Sequence, residues 1–128
     1  MRTIKFRCWD KERKTWGGIT SITIGLDGKI FDSVASAQDR YELNQFTGLL
    51  DKNGKEIYEG DLVAIDINKT LHKVLWIEDL AAFNLVRVKD PFKDSCFPFD
   101  CCEREEHYEV IGNIYENPSL LDERVKGI

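Results

Sequence analysis

The run Asp51-Lys52-Asn53-Gly54-Lys55-Glu56-Ile57-Tyr58-Glu59-Gly60-Asp61 reads as a turn, a short strand and a break. Asn-Gly is the strongest short-range hairpin signal, because both residues tolerate a positive φ. The spacing predicts a two-residue or similarly tight turn at Asn53-Gly54, followed by a strand over 56–58. Glu59-Gly60-Asp61 interrupts that strand and launches another over 62–67, with Val63, Ile65 and Ile67 on one face and Asp66 on the other.

Downstream, residues 71–77 and 81–88 are two more β-branched, apolar segments joined across Glu78-Asp79. Three sequential strands with short links suggest a meander. Residues 90–100 contain Pro91 and Pro98 and read as a loop. Its centre, Ser95-Cys96-Phe97-Pro98-Phe99, is too apolar to lie freely in water and is expected to fold onto the body or a partner. A last strand is expected over 108–115. Asn117-Pro118 then reads as a helix start, since Asn caps and Pro is preformed for the first turn.

Upstream, 43–50 reads as extended. Residues 32–42 are polar and read as loop or short helix. Residues 19–24 and 29–31 flank Leu26-Asp27-Gly28-Lys29, a second hairpin signal. In Ile4-Lys5-Phe6-Arg7-Cys8-Trp9 the alternation puts Ile4, Phe6 and Cys8 on an inner face and Lys5 and Arg7 on an outer one. A charged turn follows, then a short return strand at Thr15-Trp16. About eight strands at regular spacing predict a mainly β fold. The expected form is a small barrel-containing domain of antiparallel hairpins. One domain is expected over 1–128, with a core over about 1–118 and a short C-terminal helix over 118–126.

The 128 residues are 42% hydrophobic and 32% charged, a globular balance. The net charge of -5 excludes a strongly basic nucleic-acid coat protein. No apolar run is long enough for a membrane span, and the Met1-Arg2-Thr3-Ile4-Lys5 start has no signal-peptide core. A cytoplasmic location is therefore expected, with Cys8, Cys96, Cys101 and Cys102 as free thiols.

Few of the chemistry-bearing residues converge. Cys96, Cys101, Cys102 and His107 lack the paired spacing of zinc ligands, so no metal is expected. His72 falls on a strand beside Lys73, and His107 sits among Glu103, Glu105 and Glu106, a cluster that a solvated acidic face explains equally well. No nucleophile–base pair and no glycine-rich phosphate loop is legible. The expectation is a non-enzyme without cofactor.

Charge distribution is more informative. Residues 1–16 carry six basic and two acidic side chains, net +4, which leaves -9 on the remainder. Trp9 and Trp16 flank the basic turn, and basic side chains interleaved with aromatics can track a nucleic-acid strand. Lys5, Arg7, Trp9, Lys11, Arg13, Lys14 and Trp16 are therefore candidate nucleic-acid contacts, expected to bind weakly against the acidic body. A charged edge strand that resists aggregation explains the same residues. So does self-association, basic end against the acidic stretch over 100–109.

Three blocks together resemble the YopX family of phage and prophage proteins of Gram-positive bacteria. They are Ile4-Lys5-Phe6-Arg7 with Trp9-Asp10, the segment from Thr47-Gly48-Leu49 to Asp61 quoted above, and Tyr108-Glu109-Val110-Ile111-Gly112-Asn113-Ile114-Tyr115-Glu116-Asn117-Pro118. The resemblance implies a mostly β, barrel-containing fold and no activity, the family being uncharacterised. The cysteines are outside its pattern. Gly112 is expected to admit another backbone or a large ring. The combined expectation is a non-enzymatic phage or prophage accessory protein, located in the cytoplasm of a bacterial host cell, that acts by binding, as a homo-oligomer. A nucleic-acid-binding module is the alternative.

Overall fold

In a computed structural model of the protein, which describes residues 3–17, 23–31, 40–65, 70–88, 96–98 and 107–121, the hairpin at Asn53-Gly54 is present. Its geometry differs from the two-residue form. Asp51 N–H donates to Lys55 O at 2.8 Å, and Gly54 N–H donates to Asp51 O at 3.0 Å. Lys52 and Asn53 are thus the centre of an ordinary turn, and Gly54, at φ 82°, supplies the left-handed residue that returns the chain to the strand. The Gly25–Lys29 loop repeats this design, with Gly28 at φ 87°.

The fold is mainly β, with antiparallel sheets of which one is a half-barrel. By backbone proximity the chain divides into two compact units, residues 5–45 and residues 1–4 with 46–128.

The smaller unit contains β1 (Phe6–Asp10), β2 (Thr15–Trp16), β3 (Thr23–Ile24), β4 (Ile30–Phe31) and the first half of β5 (Tyr41–Leu50). β1 pairs antiparallel with β2, Trp9 opposite Trp16, and with β5, Cys8 opposite Leu43 and Asp10 opposite Tyr41. β3 and β4 form their own hairpin. The alternation read for β1 does not hold. Phe6 is exposed, while Cys8, Trp9 and Asp10 are consecutively buried. Cys8 packs with Tyr41 and Leu43; Trp9 is covered on the opposite face by Trp16. A strand covered on both faces loses its period of two.

The larger unit contains the rest of β5, then β6 (Glu56–Tyr58), β7 (Asp61–Ile65), β8 (Thr70–Ile77), β9 (Ala82–Arg87), β10 (Cys96–Pro98) and β11 (Tyr108–Asn113). Five strands run in the order β10-β9-β8-β7-β11, so the expected meander is its centre. Within the segment read as a loop, the described residues Cys96–Pro98 form β10, paired with β9; proline suits such an edge position. Ile57, Val63, Ile65, Val74, Leu85 and Tyr108 form the core. β11 stops at Asn113, two residues early, because Asn113 Oδ1 accepts the N–H groups of Tyr115 at 3.0 Å and Glu116 at 2.8 Å. The C-terminal helix starts where Asn117-Pro118 places it, as a 3-10 helix, Pro118–Leu121. The part expected over 122–126, like residues 19–22, 32–39 and 66–67, lies outside the described residues.

Candidate functional site

Basic side chains are concentrated on the turn between β1 and β2. Lys14 N–H donates to Asp10 O at 2.8 Å, and Lys14 sits at φ 57°, a left-handed conformation that is unfavourable for a residue with a Cβ. Asp10 holds the turn in this form. Its Oδ1 accepts the backbone N–H groups of Glu12 at 3.0 Å and Arg13 at 3.1 Å. Arg40 grips both oxygens, Nε to Oδ1 at 3.2 Å and Nη2 to Oδ2 at 2.9 Å. Those guanidinium bonds keep the Asp10 carboxyl down at about 2, against the opposing effect of burial. Bidentate pairing of this kind fixes orientation as well as charge. Lys11 N–H donates to Arg40 O at 2.9 Å.

The turn presents Lys11, Glu12, Arg13 and Lys14 to solvent. Lys11 Nζ lies 3.7 Å from Glu42, and Glu12 lies 3.6 Å from Arg40 Nη1. The other candidate contacts are placed differently. Lys5 is exposed. Arg7 is half-buried; its guanidinium lies 4.2 Å from the Trp16 ring centre, and its Nε donates to Asn44 Oδ1 at 3.2 Å. Trp9 is 5% exposed and meets Trp16 edge to face at 5.0 Å. Besides the exposed Lys5, the candidates fall into two sets. Arg7 and Trp9 both pack on Trp16, and Lys11, Arg13 and Lys14 face water. Sequence reading missed Arg40, which lies in a polar stretch with no periodicity, thirty positions from its partner.

Other reactive side chains are built into the fold. His72 is buried opposite Val63 and Arg87. Burial, with help from the Arg87 charge, lowers its pKa to about 4, so it is neutral at pH 7. Burial and the Asp10 charge raise the Cys8 thiol, which makes it a poor nucleophile. His107 is half-buried next to β11. Cys101, Cys102, Glu103, Glu105, Glu106, Asp66 and the side chain of Cys96 lie outside the described residues. Among the described residues no three His, Cys, Asp or Glu side chains converge as metal ligands. No described helix is long and apolar enough to cross a membrane.

In the larger unit, polar side chains tie turns to strands. Asp51 Oδ1 accepts from Asn53 N–H at 2.8 Å and Lys55 N–H at 2.9 Å, and Oδ2 from Val110 N–H at 2.9 Å. Burial works against the charged form, but the three N–H groups outweigh it, and the carboxyl lies below its ordinary range. Asp61 Oδ2 accepts from Tyr58 N–H. Asn117 Oδ1 accepts from Asn113 N–H at 3.1 Å, directly over Gly112. At the far end of the β8–β9 hairpin, Trp76 and Phe83 face each other at 5.1 Å with Trp76 46% exposed.

A family profile described as YopX protein matches residues 5–122. The chain belongs to the YopX family. Among solved structures it is similar to protein EF1440 from Enterococcus faecalis, at 26% identity and a TM-score of 0.65, covering 95% of this chain and 100% of that one. It also shares its fold with yopX from Bacillus subtilis, at 21% identity and a TM-score of 0.52, with the same coverage. No curated protein matches this YopX-family chain.

Proposed function

We propose that this YopX-family protein acts by binding rather than by catalysis, as a homo-oligomer. The phage or prophage setting is the one the family resemblance implies, and the cytoplasm is the location read from the sequence. The supporting observation is where large apolar side chains lie. Phe6, Leu26, Trp76, Leu80 and Ile111 are all at least 42% exposed, in a chain that buries Asp10, Asp51 and Asp61 to shape turns. Apolar area left in water is what association removes. The reading invokes no cofactor or metal. Light scattering coupled to gel filtration tests it: a mass of two or more chains is expected, and a monomer at all concentrations contradicts it.

Nucleic-acid binding is the second reading, favoured by the ordered β1–β2 turn, on which Lys11, Arg13 and Lys14 are exposed. Retention on single- or double-stranded DNA or RNA at low salt, lost steeply as salt rises, is its signature. No retention at low salt removes it.

A further inference from the structure

The end of the β8–β9 hairpin combines exposed apolar surface with negative charge. Trp76 and Leu80 are 46% and 56% exposed, and Phe83 stacks edge to face on Trp76. Glu78 and Asp79 stand exposed between them on the connecting 3-10 turn, Glu78–Leu80. This turn is well defined: Ala81, at φ 49°, closes it by donating its N–H to Glu78 O at 3.1 Å. Tryptophan offers a large, stiff contact surface at low entropic cost, and such residues dominate binding energy where they are desolvated.

The acidic pair selects the partner. A phosphate backbone is repelled by Glu78 and Asp79, so Trp76 is poorly placed for a nucleic-acid base. A cationic protein segment is attracted. The chain carries such a segment itself, in the exposed Lys11, Arg13 and Lys14 of the β1–β2 turn, held ready by Asp10 and Arg40. Preordering the turn reduces the entropy lost on docking. A guanidinium over an indole face gains further attraction, as Arg7 over Trp16 does within the chain.

We propose that the Trp76–Leu80–Phe83 end of the β8–β9 hairpin is a docking surface for the basic β1–β2 turn of a second copy of this chain. The proposal rests on the oligomer reading and specifies its contact. Two different patches meet, so copies can pair reciprocally or follow one another around a ring.

The test is a charge swap read by light scattering and sedimentation, with circular dichroism on each variant. Arg13→Glu with Lys14→Glu is expected to weaken self-association at least tenfold, as is Glu78→Lys with Asp79→Lys. Combining the four substitutions is expected to restore assembly. Trp76→Ser should weaken it independently of salt. All the charge substitutions are at exposed positions, so they report on the contact even if Trp76→Ser unfolds the chain. If the wild type assembles and the charge variants assemble equally well, this contact is overturned and the oligomer reading stands. If the wild type is monomeric, or if Trp76→Ser instead abolishes nucleic-acid retention, the contact falls; the monomer removes the oligomer reading with it.

Discussion

Asp51 accepts the backbone N–H of Val110 at 2.9 Å, across fifty-nine positions of chain. The same carboxylate closes its own hairpin through Asn53 and Lys55. Lys52 N–H completes the link by donating to Tyr108 O at 2.9 Å, and Lys52 Nζ lies 3.5 Å from Glu109. A turn and a sheet edge are thereby fastened together. The edge of β11 that would otherwise be open is partly capped, which removes a site for unwanted strand pairing.

Asp51→Ala leaves three N–H groups to find other partners and should cost on the order of 3 kcal/mol in denaturant unfolding. Asp51→Asn keeps one acceptor oxygen and should cost less. An Asp51→Ala variant as stable as wild type would show that the fastening contributes nothing.

Gly112 and Asn117 form a second coupled pair. A Cβ on Gly112 would lie 2.7 Å from Asn117 Cγ, so Gly112→Ala should cost about 1–3 kcal/mol through overpacking and loss of the Asn113–Asn117 bond. Asn117→Ala removes the two nearest of the obstructing atoms. The double variant should therefore be less destabilised than the sum of the singles. Strict additivity would contradict the contact. Gly54 makes a useful contrast: nothing lies within 4 Å of its added Cβ, so Gly54→Ala reports only the cost of φ 82°, about 1 kcal/mol.

Acid should unfold the protein in two stages. His72 titrates near 4 when folded and at 6.5 otherwise, so the unfolded chain binds the extra proton first. Its contribution is present above pH 6.5 and is lost as pH falls toward 4, on the order of 3 kcal/mol in all. The Asp10 carboxyl is depressed from 3.8 to about 2, so its contribution is present above pH 3.8 and is lost as pH falls to 2. Thermal melts of His72→Gln should flatten the upper stage only, and those of Asp10→Asn the lower only. A His72→Gln profile parallel to wild type would refute the first assignment.

Trp9 and the basic turn should separate in experiment. Trp9→Ala empties a buried site and should cost about 3–5 kcal/mol. Replacing Lys11, Arg13 and Lys14 together by Ala should change stability by less than about 1 kcal/mol, because exposed charges contribute little to folding. A large loss of melting temperature in the triple variant would place those side chains in the fold rather than at a surface for partners.

The local parts of this structure are legible in the chain. Asn53-Gly54 and Asp27-Gly28 mark their turns because a positive φ is a property of one residue. Val63 and Ile65 mark a core strand through periodicity. What is not legible depends on distant partners. Asp51 reads as a turn residue and gives no sign of its bond to Val110. Arg40 has no local pattern to connect it with Asp10. Arg7, Trp9 and Trp16 have the composition of a nucleic-acid platform, and the same composition serves a cation–aromatic stack within the molecule. Only the register, which sets Trp9 opposite Trp16, distinguishes the two uses.

Self-association through complementary charged and aromatic surfaces is the centre of this account, and sedimentation equilibrium of the wild-type protein over a wide concentration range, at low and at high salt, tests it most directly. A mass of two or more chains at low salt, falling toward one chain as salt rises, is the predicted result. A single-chain mass at every concentration and salt would contradict it.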